Sequence, residues 1–118
     1  MPFLNVLKSL VDRTPDSIGA ILVDWEGEAV QEYCHCDPYD IRFVAAHKGI
    51  ILARLKELHD SGRVGEVEDV VITSTDGHLI IGCIDQDYSL VVSVGRSCPR
   101  GLALYRFHSA IADLKKVI

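Results

Sequence analysis

The residues best suited to chemistry are Cys34-His35-Cys36, because thiolate and imidazole are good zinc ligands and a Cys-x-Cys pair on one strand face can chelate. Structural zinc uses two separated ligand pairs, whereas the other candidates, His47, His59, His78, Cys83, Cys98 and His108, stand singly. Cys34 and Cys36 then read as small apolar residues at a strand end, and no metal is expected. The chain has 4 cysteines and 5 histidines, yet none sits in the strand-turn-helix elbow that would present a nucleophile to a base. Asp24, before Trp25-Glu26-Gly27, resembles a catalytic acid but reads more strongly as the residue that starts a turn. Glycines are dispersed, with neither a phosphate loop nor a dinucleotide fingerprint, so the chain itself is not expected to bind a nucleotide. These residues point away from an enzyme and call for no cofactor.

The elements that hold them are legible from periodicity. Phe3, Leu4, Leu7, Leu10 and Val11 behind Pro2 predict a helix over about 2–12, ended by Thr14-Pro15-Asp16. The apolar run Ile18 to Trp25, then Glu26-Gly27, then Ala29, Val30 and Tyr33 predict a hairpin turning at Gly27. Asp37-Pro38-Tyr39-Asp40 has the form of a helix start, with Asp37 as the N-cap, and one long helix is expected to about Asp60, closed by Gly62 in the left-handed conformation. Three runs, Val67 to Ser74, His78 to Ile84 and Tyr88 to Val94, are broken by Asp76-Gly77 and Asp85-Gln86-Asp87 and predict an antiparallel meander. A last helix opens at Pro99, with Leu104, Phe107, Ile111, Leu114 and Ile118 on its apolar face and Arg106, Asp113 and Lys116 turned away. Short loops make sequential strands neighbours.

Length and charge bound what such a molecule does. A chain of 118 residues suits one domain, 1–118, with a single core. Lys plus Arg number 12 against 17 Asp plus Glu, with no basic-aromatic cluster, so nucleic acid is not an expected partner. Apolar stretches such as Leu79 to Ile84 fall far short of the roughly 20 residues that cross a bilayer, so no membrane insertion is expected. The start, Met1-Pro2-Phe3-Leu4-Asn5, has no signal-peptide pattern, and the expectation is a cytoplasmic protein with reduced cysteines.

The long helix carries two apolar sides. At 100° per residue Ile41, Val44, Ile51, Leu52, Leu55 and Leu58 gather toward the sheet, with Lys48 falling in the same sector. Phe43, Ala46, Ile50 and Ala53 lie opposite, bordered by His47, Arg54 and Glu57. Either another helix of the same subunit covers this second side, or it is an intermolecular face on which Ala46, Gly49 and Ala53 permit close approach and Phe43 and Ile50 are anchors. Trp25 likewise either covers a core edge or anchors a partner.

The order of elements, the strand Gly19-Ala20-Ile21-Leu22-Val23-Asp24 ending in Glu26-Gly27, the two-sided helix and Tyr88-Ser89-Leu90-Val91-Val92 together resemble the Roadblock/dynein light chain family, in particular its short bacterial MglB-like members. The resemblance runs from about Leu4 to Leu114; its single motifs are common, and its order and spacing carry it. It implies an α+β domain of order α-β-β-α-β-β-β-α, with a central five-stranded antiparallel sheet in a profilin-like architecture. It also implies a homodimer built on the long helix and on the strand 67–74, which would pair with its copy and place Val71 in the interface. Such domains bind Ras-like small GTPases as regulators or scaffolds, and MglB-like members stimulate GTP hydrolysis by an MglA-like GTPase that contacts the paired long helices. A structural adaptor of the dynein light chain kind is the alternative. Arg13, Arg42, Arg54, Arg63, Arg96, Arg100 and Arg106 are all formally available as arginine fingers, and Arg42 and Arg54 lie on the helix that a partner would touch.

Overall fold

The computed structural model describes residues 2–118, apart from the side-chain placements at 48, 49, 52 and 53. The expectations for Lys48, Gly49, Leu52 and Ala53 lie outside the described residues. The elements are α1 (Pro2–Arg13), β1 (Ser17–Asp24), β2 (Ala29–Cys34), α2 (Pro38–Ala46), α3 (Lys48–Asp60), β3 (Asp69–Thr73), β4 (Gly77–Cys83), β5 (Tyr88–Gly95) and α4 (Arg100–Val117). The strands form one antiparallel sheet of order β2-β1-β5-β4-β3. The expected α+β class and five-stranded sheet are thus observed. β2 and β3, consecutive in sequence, lie at opposite edges because α2 and α3 carry the chain across one face, and β1 reaches past them to pair with β5.

Strand alternation divides the core into two layers. Ala20, Leu22, Ile80, Leu90, Val92 and Val94 point to one face and are buried under α1 and α4 by Leu7, Leu10, Phe107 and Leu114. Ile21, Val23, Ile81 and Val91 point to the other face, beneath Ile41 and Ala45 of α2, with Val44 and Ile51 packed beside them. Both faces of β1 and β5 are covered, which accounts for their near-continuous apolar runs.

The punctuation read from the sequence is at work locally. Asp37 caps α2, its carboxylate accepting from the Tyr39 amide at 3.0 Å, with Pro38 in the first turn. Gly62 adopts a φ of +79° just beyond α3, the conformation that closes a helix end at little cost to glycine. The Asp24 carboxylate accepts from the amides of Glu26 (3.0 Å) and Glu28 (2.9 Å), so its role is to shape the β1–β2 turn.

One expectation is corrected. The single long helix is two helices, α2 and α3, meeting at His47, whose amide bonds back to Val44 at 3.1 Å while Ile50 bonds to the His47 carbonyl at 3.2 Å. These i→i−3 bonds tighten the chain into a short 3₁₀-like turn. The sequence there, His47-Lys48-Gly49, contains a glycine, which costs a helix about 1 kcal/mol relative to alanine. Leu58, expected on the core side, is 47% exposed, and Ile118 is 42% exposed beyond the end of α4.

Candidate functional site

Three groups of residues were singled out for chemistry or contact, and the fold treats them differently. Cys34-His35-Cys36 is split by strand alternation: Cys34 packs toward the α2 layer, while His35 Nε2 reaches 3.1 Å to Asp12 Oδ1 on α1, on the other side of the sheet. The Cys34 thiol donates to the Cys36 carbonyl at 3.3 Å and the Cys36 thiol to the Asp37 carbonyl at 3.4 Å. Burial, and then the neighbouring Cys34, push the Cys36 thiol above the usual range, and burial does the same to Cys98. Thiols held protonated are poor ligands and poor nucleophiles. Among the described residues no group of three or more Cys, His, Asp or Glu side chains is placed to hold a metal.

The outer side of α2 and α3 is the second group, and it is apolar and uncovered. Phe43 is 56% exposed and Ile50 64%, although both are large hydrophobic residues. Tyr39, which the helical reading left out, extends the stripe one turn back and is 67% exposed. The i, i+4 spacing of 39, 43 and 47 was the available signal. Ring centroids lie 6.3 Å apart for Tyr39 and Phe43 and 4.8 Å apart for Phe43 and His47. The His47 Nδ1 donates to the Phe43 carbonyl at 2.8 Å, which fixes the ring against the stripe. Ala46, Arg54 and Glu57 are exposed alongside.

The charged border is uneven. Arg42 forks onto the Glu32 carboxylate, with Nε 2.7 Å from Oε2, tying α2 to the edge strand β2. The Glu32 hydrogen bonds hold the Arg42 guanidinium protonated beyond its usual range. Among the described residues Arg54 pairs with Glu57 alone, 3.3 Å away within the same helix, and both stay open to solvent. Of the two arginines on these helices, Arg54 has the looser and more exposed ion pair among the described residues.

The third group is the β3 edge. Cys83 bonds through its amide to the Glu68 carbonyl and Ser74 to the Gly77 carbonyl, at 3.3 and 2.9 Å. The antiparallel alternation then directs the Val70 and Ile72 backbones to β4 and leaves those of Asp69, Val71 and Thr73 at the open edge. The Val71 side chain packs on the α1–α4 layer, so what Val71 offers a partner is its backbone. Trp25 stands in solvent at the β1–β2 turn, 71% exposed, and does not cover the core edge.

Four helices around a five-stranded antiparallel sheet of this order make the Roadblock fold. A Roadblock/LC7 domain from Streptomyces avermitilis matches with a TM-score of 0.85 at 18% identity, over 97% of this chain and 95% of that one. Myxococcus xanthus MglB matches at 0.86 and 18%, over 98% and 93%. The gliding protein mglB of Thermus thermophilus matches at 0.87 and 16%, over 98% and 87%. At these identities the likeness is one of fold. No family model matches the chain, and no curated protein matches it in sequence.

Proposed function

We propose that the chain is a homodimeric regulator or scaffold for a Ras-like small GTPase, working by contact and not by chemistry of its own. The observation that carries this reading is the uncovered stripe Tyr39, Phe43 and Ile50 on the helices whose other side closes the sheet. A lone subunit gains nothing from three large apolar side chains in water, whereas two copies meeting there bury them. The open β3 edge supports a second, backbone contact between the same two copies, which would join two five-stranded sheets. Arg54, on the rim of the stripe in an exposed ion pair with Glu57, is the residue to test for a part in hydrolysis.

The deciding experiment mixes the purified chain with an MglA-like GTPase loaded with GTP or GDP, following binding by calorimetry and hydrolysis by phosphate release. Binding that depends on the nucleotide supports regulation. Binding that ignores it, with no change in hydrolysis, would favour a structural adaptor. GTP added to the chain alone is expected to give no heat of binding.

The β3 contact has its own test. Val71→Pro removes an amide that faces the open edge and leaves every ladder bond to β4 intact, which is the placement at which a strand tolerates proline. The variant is expected to fold and to dissociate at least about tenfold more readily in sedimentation, since one lost edge bond in each copy is worth roughly 1 kcal/mol. An unchanged dissociation constant would remove β3 from the interface.

A further inference from the structure

The face of the sheet opposite the apolar stripe holds a second feature. α1 and α4 lie side by side there, and each turns one helical row into the cleft between them: Val6, Ser9, Leu10 and Arg13 from α1, Arg106, Ser109, Ala110 and Asp113 from α4. The cleft is a groove open to solvent on one side that offers about 80 Å³, room for a small polyatomic ion. Its lining is polar above an apolar floor of Leu10 and Ala110, both buried.

Two properties set this cleft apart from an ordinary helix contact. Neither Arg13 nor Arg106 is paired with a carboxylate among the described residues, although acidic residues outnumber basic ones over the chain. Arg106, expected to turn away into solvent, is instead half-buried, and its Nε is buried with no hydrogen-bond partner among the described residues. A buried N–H of a guanidinium is costly to leave unmatched, and native proteins rarely do so. Asp113 lines the same cleft two turns further along α4, beyond the i, i+4 reach of a helical ion pair, and no ion pair forms between the two.

We propose that the α1–α4 cleft is a phosphate-binding site, with Arg13 and Arg106 as its cationic fork. Two guanidiniums and the hydroxyls of Ser9 and Ser109 are donors that suit an oxyanion with several acceptor oxygens. Asp113 refines the class. A carboxylate beside a bound anion repels it unless the anion brings a proton to share; hydrogen phosphate has one at neutral pH and sulfate has none. The site therefore selects phosphate over sulfate. It is separated from the Tyr39–Phe43–Ile50 stripe by the whole sheet, and it neither requires nor tests the GTPase reading.

The probe is inorganic phosphate, with potassium chloride and sulfate at matched ionic strength, and the readouts are thermal unfolding and phosphorus NMR line width. Phosphate is expected to raise the melting temperature and broaden its own resonance in the parent chain, with sulfate weaker. Arg106→Gln and Arg13→Gln are each expected to weaken phosphate binding about tenfold or more, the loss of one charge-assisted contact. Arg13 is exposed and forms no ion pair among the described residues, so its variant keeps the test valid if Arg106→Gln unfolds. Phosphoserine in place of phosphate separates a free ion from a phosphorylated side chain as the source: binding of both extends the site to phosphorylated partners, and phosphate alone assigns it to the ion. Phosphate protection equal to that of chloride, equal protection by sulfate, or binding undiminished in both arginine variants would overturn the proposal.

Discussion

A chain carrying Phe43→Asp together with Ile50→Asp is expected to remain folded and to run as a monomer where the parent chain is expected to run as a dimer. Folding should survive because both side chains are more than half exposed within the subunit, and neither belongs to the two buried layers. What the substitutions remove is the area that a second copy would cover. Full burial of such a side chain is worth roughly 1.5–3 kcal/mol, and here about half of that remains to be gained on association, or about 1 kcal/mol each. Four altered side chains per dimer forfeit about 4 kcal/mol, close to a thousandfold in the dissociation constant, before any carboxylate is desolvated. Light scattering after size exclusion reads the change, and circular dichroism confirms that helix and sheet content are kept. A folded double variant that stays dimeric at micromolar concentration would show that the stripe is not the contact. A monomeric variant that still binds the proposed GTPase partner would separate dimerisation from partner binding.

The order of elements was readable because each boundary has its own chemistry. Asp37 and Pro38, Gly62, and Asp24 with Gly27 act in the structure through the hydrogen bonds or dihedrals that made them recognisable. Both sides of the long helix were also visible as apolar, since periodicity reports which residues share a side. Periodicity could not say which of those sides would be left open. That depended on α1 and α4 packing on the other face of the sheet, a consequence of strand order.

What was hidden turned on small rotations and long-range pairing. The turn at His47, with φ −87° and ψ −10°, departs so little from helical geometry that apolar spacing runs through it almost in phase. Helical phase alone turns Arg106 away from the apolar face of α4, and only the neighbouring α1 row shows that this side too is partly covered. The Val71 backbone direction follows from the register with β4, which no local pattern encodes. Trp25 had two readings of similar weight, and its isolation at the turn removes the one that needed a core beneath it.

Gly77→Ala is expected to cost roughly 3–5 kcal/mol, combining backbone strain with a forced separation of strands. Gly77 opens β4 at a φ of +154°, a value that residues with a Cβ rarely adopt. A Cβ built there falls 2.1 Å from the Val94 carbonyl oxygen and 2.9 Å from the Gly95 Cα. All of these are backbone atoms of β5, so no side chain can swing aside, and β4 must lift from its neighbour at the Gly77–Gly95 pair. The damage then spreads. The Gly95 amide donates to the Asp16 carbonyl at 2.7 Å, and the Asp16 carboxylate accepts from the Ser97 amide at 2.9 Å, so the same strand end fastens the α1–β1 loop. For a domain of ordinary stability, about 5–15 kcal/mol, the loss lowers the urea midpoint by a large fraction without altering the slope. Gly101→Ala is the matched control: its Cβ meets open space at the start of α4, and it is expected to shift stability by less than about 1 kcal/mol. Equal midpoints for the two variants would mean that the close approach of β4 to β5 at Gly77 does not govern this corner of the sheet.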